Sequence, residues 1–94
     1  MFVVLLRFSG DKAAADQHMV GHQEWIKRGL DDGVFLLVGS IKPGLGGAVL
    51  AHATSPEELR KRVDEDPFVA QGVVTAEIIE IAPGVADERL RFLL

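Results

Sequence analysis

Apolar residues fall along this chain in two rhythms, and the switches between them mark out its secondary structure. Phe2–Phe8 is a near-continuous apolar run, rich in β-branched and aromatic residues and too short for a stable helix, so it reads as a buried strand. Ser9-Gly10-Asp11 breaks it, and Asp11 or a neighbour is positioned to cap the next element. From about residue 12 to 30 the composition turns to Ala, Gln, Met, Glu and Lys, and Ala15, Met19, His22, Ile26 and Leu30 recur at spacings of three or four. That period predicts an amphipathic helix laying this stripe on a sheet. Gly33 ends it, in the left-handed conformation that commonly closes helices. A second apolar strand is expected over 34–38, a wide glycine-dense hairpin turn over 39–47, and a third strand over 48–53. Ser55-Pro56-Glu57-Glu58 then has the marks of a helix start: a capping hydroxyl, proline at the first helical position and glutamate three residues on. That helix runs to about Asp64. Asp66-Pro67-Phe68 opens another short turn, 73–82 reads as a fourth strand, and the tail 85–94 is polar and then apolar.

The order strand, helix, strand, strand, helix, strand has each helix joining two strands, and right-handed crossovers place both helices on one face. The expected fold class is therefore α+β: a ferredoxin-like βαββαβ domain, one unit over 1–94, with a four-stranded antiparallel sheet and helices on one face. The other face is left without cover. Apolar residues make up 48% of the chain and the mean hydropathy is +0.21. That is high for a small domain, which buries only about 60–65% of the surface its unfolded chain exposes. Large exposed apolar patches are uncommon on soluble monomers, so a homodimer packed sheet against sheet is expected. Higher assembly is left open, with 90–94 a candidate for exchange between subunits.

Charge and cysteine content narrow the function. The net charge is −4 with no basic run, so nucleic acid is not an expected partner. There is no cysteine, which excludes disulfides, thiolate metal sites and thiol nucleophiles and agrees with a cytoplasmic location. No segment approaches the ~20 apolar residues needed to cross a bilayer, and the opening residues lack the pattern of a secretory signal. The expectation is an untargeted cytoplasmic protein with no membrane partner.

His22 stands out among the polar residues. At ~100° per residue, it lies at the boundary between the apolar stripe and a flank carrying His18, Gly29 and the single tryptophan, Trp25. A histidine there is placed to be half-buried and aimed into a cleft; the plainer alternative is a core histidine satisfied by a backbone carbonyl. Asp66 precedes Pro67 as a good helix cap, its carboxylate accepting the free amide hydrogens of the next turn. It is also suited to orient an imidazole, and a carboxylate has lone pairs enough for both roles. His18 and His22 have a spacing compatible with metal, but no third ligand is marked, so no metal site is expected. Trp25 and Phe68 are core or interface residues in the plain reading and apolar walls for a ligand in the other. Ser40, after the second strand, is a candidate hydrogen-bond donor to a ligand. The glycines of 39–47 lack the lysine and hydroxyl of a phosphate loop and lead into a strand, which argues against a nucleotide.

In order and spacing, these segments resemble the YciI-like family of the dimeric ferredoxin-like α/β-barrel superfamily, which also includes muconolactone isomerases. The resemblance rests on Phe2–Phe8, on His22-Gln23-Glu24-Trp25 followed by Asp32-Gly33 and Val38-Gly39-Ser40, and on Asp66-Pro67-Phe68 with Gly72-Val73 behind it. It covers nearly all of the chain. It implies a dimeric α/β barrel with a His–Asp dyad, carried here by His22 and Asp66, in a small-molecule pocket near the subunit interface. Trp25, Ser40, Phe68 and His18 are the expected substrate-binding residues. The implied activity is that of a lyase or isomerase needing no cofactor, moving a proton on a small oxygenated cyclic compound. An ordinary imidazole titrates near ~6.5 and suits that task. The alternative is a non-catalytic dimeric module that binds a small molecule, and a third is an assembly domain whose histidine is structural.

Overall fold

The computed structural model describes residues 1–10 and 12–94; Asp11, expected as a helix cap, lies outside the described residues. The elements are β1 (Phe2–Phe8), α1 (Ala14–Asp31), β2 (Phe35–Ile41), β3 (Gly46–Ala51), α2 (Pro56–Asp64), α3 (Pro67–Ala70) and β4 (Val74–Glu80), with a 3₁₀ helix over Glu88–Leu93 at the end. The strands form one antiparallel sheet in the order β2-β3-β1-β4. This is the ferredoxin-like βαββαβ arrangement read from the sequence. Phe2, Val4 and Leu6 of β1 are buried while Val3, Leu5 and Arg7 between them are not, so one face of the sheet carries the helices and the other stands open.

Local chemistry sets the helix ends. Gly33 has φ +74, and the amides of Gly33 and Val34 close back on Leu30 and Gly29, a reciprocal pair of bonds that satisfies the last helical carbonyls. Ser55 accepts the Glu58 amide at 3.1 Å and starts α2, an interaction worth ~1 kcal/mol. The core between helices and sheet is built on Trp25, Leu59, Val63, Val4, Val49 and Val73.

Two expectations are corrected. The predicted wide loop over 39–47 is a tight hairpin: β2 continues to Ile41, β3 begins at Gly46, and Ser40 pairs with Gly47. Glycine keeps both backbone hydrogen-bonding groups, so a strand tolerates it even though it weakens the sequence signal. The stripe of α1 is also rotated from the expected one. Its buried residues are Ala15, Trp25 and Gly29, while Leu30 is 45% exposed. Gly29 explains the lean, because a Cβ there would lie 2.1 Å from the Phe35 ring. The helix settles toward the side where no side chain holds it off, bringing His22 close to the centre of the inward face.

Candidate functional site

His22 and Asp66, 44 residues apart, meet where α1 packs on α3: His22 Nδ1 lies 2.8 Å from Asp66 Oδ1. Gly21 permits the approach, since a Cβ at that position would sit 3.0 Å from Pro67 Cγ. Asp66 caps α3 as its sequence suggested, its Oδ1 also accepting the Phe68 amide at 3.0 Å. One carboxylate oxygen thus performs both roles. The side chain is fully buried, and Oδ2 has no hydrogen-bond partner among the described residues. When the carboxylate is ionised it only accepts, and a neutral ring then donates from Nδ1 and keeps the lone pair of Nε2.

The imidazole is held on its face as well as its edge. The Phe68 ring stacks on it at 3.9 Å between centroids and 4° between planes, and Trp25 lies 5.8 Å away. Trp25 is itself fixed, its indole N–H donating to the Arg62 carbonyl at 2.8 Å and its ring meeting the edge of Phe35. Rotation of His22 would break the carboxylate bond and the stack together. The imidazole side chain keeps 15% of its surface exposed, opening onto a cleft of about 360 Å³ between α1 and the end of the sheet where β1 and β2 finish.

Trp25, Phe68 and Ser40 line that cleft with His22, and His18 does not. On α1, Met19 and Ile26 reach the cleft beside His22. Ser40 owes its place to a bulge. The register of β2 on β3 shifts between Phe35 and Leu37, and one extra residue swaps the faces of everything beyond it. Phe35 and Val38 therefore both point under the helices, and Ser40 comes two residues after Val38 on the same face. Gln23, which also lines the cleft, was missed by sequence reasoning as a site residue; it lies just outside the apolar stripe. Gly21 and Gly29 did leave a signal. Glycine within a helix costs ~1 kcal/mol relative to alanine, and two in one helix mark close approaches.

No group of three or more metal-ligating side chains occurs among the described residues, and no described helix is long and apolar enough to cross a membrane. With a fixed imidazole, a free Nε2 and apolar walls, the arrangement is equipped to take up and return a proton.

The YCII-related domain model matches residues 1–82, so the chain belongs to the YCII-related family. The matched region ends before the tail. No curated protein matches the chain in sequence. Among solved structures it is similar to a 5-chloro-2-hydroxyhydroquinone dehydrochlorinase from Burkholderia phenoliruptrix, in complex with 2,5-dihydroxybenzoquinone. The TM-score is 0.71 at 17% identity, covering 89% of this chain and 96% of that one, which is a likeness of fold.

Proposed function

We propose that this chain is an acid–base enzyme, a lyase or isomerase that moves a proton on a small oxygenated cyclic compound, with His22 as base and acid and Asp66 as its positioning residue. One observation carries the reading: the 2.8 Å bond between His22 Nδ1 and a fully buried carboxylate, at the wall of an open cleft. Nε2 takes a proton from an activated carbon or hydroxyl of the substrate, leaving an anion delocalised over the oxygenated ring. Asp66 holds the ring through Nδ1 and faces the imidazolium that forms. The proton then returns at a different atom, which is isomerisation, or the anion expels a leaving group, which is elimination. The structural neighbour, named as a dehydrochlorinase and solved with a quinone, supports a ring compound as substrate and elimination as one outcome.

The working form is a homodimer. Val3, Leu5, Leu50, Leu37 and Ile79 gather on the open sheet face, with Leu37 54% and Ile79 40% exposed; a second copy laid on that face would cover them.

The test is deuterium incorporation from solvent into a panel of hydroxylated and keto ring compounds, monitored by NMR. Wild-type protein is expected to accelerate exchange in at least one compound, and His22→Gln to lose about 10²-fold or more of that rate with its fold intact. Equal rates in the two proteins would overturn the reading. Lost binding without any wild-type exchange would favour the binding module instead.

A further inference from the structure

We propose that Gly47 is the specificity-determining position of the cleft, and that its missing side chain makes a slot for a flat, uncharged, oxygenated ring. The inference rests on the proton-transfer reading only for the fate of the ring once it is bound.

Across the helix-facing side of the sheet, register places Val38, Val49 and Val4 in one row and Ser40, Gly47 and Leu6 in the next. Val49 and Val4 are buried and fill the first row. The second row has a gap at its centre, because Gly47 sits between Ser40 and Leu6 with nothing on its Cα. The φ of this glycine is one that other residues adopt, although the neighbouring strand must yield a few tenths of an ångström to admit a Cβ. Gly46 beside it has φ +142, and a Cβ there would strike the Leu6 carbonyl oxygen. Gly47 has no such φ, and its nearest obstacle, the Gly39 carbonyl oxygen, lies 3.3 Å from where a Cβ would be. Met19, Ile26 and His22 line the cleft from the helix side, so the gap is the floor of a slot with the imidazole in its wall.

Size and charge define the occupant. About 360 Å³ is at the small end of the ~300–1,000 Å³ typical of ligand pockets, room for one ring and its substituents. The polar side chains at the cleft are those of His22, Gln23 and Ser40; no Lys, Arg, Asp or Glu lines it among the described residues. Lys12, at the same end of the sheet, donates to the Gly44 carbonyl at 2.9 Å and lies over the Phe8 ring. A carboxylate or phosphate entering the slot would give up hydration without gaining a lining Lys or Arg. Hydroxyl or keto oxygens meet neutral donors and acceptors at Ser40 and Gln23. A puckered saturated ring is thicker than an aromatic one and is expected to lie less closely on the Gly47 peptide.

Binding is read from backbone and imidazole NMR shifts during titration with resorcinol, with 3-hydroxybenzoate and with cyclohexane-1,3-diol. Resorcinol is expected to shift His22, Ser40 and Gly47, and the other two probes to bind about tenfold or more weaker. Gly47→Val is expected to lose resorcinol binding by about tenfold or more while keeping the His22–Asp66 bond. Gly47→Ala, which adds one methyl, gives an intermediate loss and serves if the valine variant fails to fold. Unchanged resorcinol affinity in the variants, or equal binding of the benzoate or the diol, overturns the proposal. Resorcinol bound at Gly47 in a protein that exchanges no deuterium supports the slot and counts only against the proton-transfer reading.

Discussion

Replacing Asp66 with alanine removes at one stroke the acceptor that bonds both the α3 backbone and the His22 ring of α1. The carboxylate is fully buried and its Oδ1 accepts from both His22 Nδ1 and the Phe68 amide. The two bonds it accepts are hydrogen bonds to a charged group, each worth about 1.5–3 kcal/mol, and the imidazole N–H left behind is neutral. The lost cap on α3 belongs to that sum and is worth ~1 kcal/mol by itself. The imidazole recovers part by moving its proton to Nε2, which places the expected loss near the lower end, about 3 kcal/mol. Against a domain stability of about 5–15 kcal/mol the variant still folds, with a melting temperature lower by about 10 °C or more. Asp66→Asn separates the two roles, since asparagine caps as well as aspartate and its carbonyl still accepts from Nδ1, but without charge. It is expected to lose less stability than alanine while also losing part of the hold on the tautomer. Urea denaturation gives the stabilities, and imidazole ¹⁵N shifts give the tautomer: Nδ1–H in the wild type, a mixture in the alanine variant. An alanine variant within about 0.5 kcal/mol of wild type, the range of an ordinary surface change, would refute the energetic argument. Unchanged ring shifts would refute the claim that Asp66 orients His22.

Packing sets two further outcomes. Gly29→Ala should destabilise by about 1–3 kcal/mol through the clash with Phe35, against the ~1 kcal/mol that helix propensity alone would add; urea melts showing a net gain would mean the helix can lift off without cost. Leu50→Glu, on the open sheet face, should convert a homodimer to monomer in sedimentation with the monomer's circular dichroism unchanged. A Leu50→Glu protein sedimenting as a dimer would place the interface elsewhere.

How much is legible in the sequence depends on the range over which each feature is decided. The elements, their order and the cap residues Ser55 and Asp66 are properties of short segments. Period, capping chemistry and glycine punctuation determine them locally, and the sheet order comes from connections that have few alternatives. Helix position marked His22, capping chemistry marked Asp66 and the family resemblance paired them, but residue types alone could not say whether they meet. That distance depends on Gly21 admitting Pro67, and the lean of α1 depends on Gly29 admitting Phe35; both are contacts between segments far apart in the chain. The sequence also pointed to Ser40 without supplying the reason it reaches the cleft, a single shifted residue in the pairing of β2 with β3. A helix pattern tells which residues share a side, whereas its rotation against the sheet is chosen by whichever neighbour is small enough to let it come close. So the sequence by itself determined the parts and their succession. Only tertiary packing decided the angle of α1, the face of Ser40 and the depth of the cleft, because each is settled by steric fit between surfaces that no local stretch of chain contains.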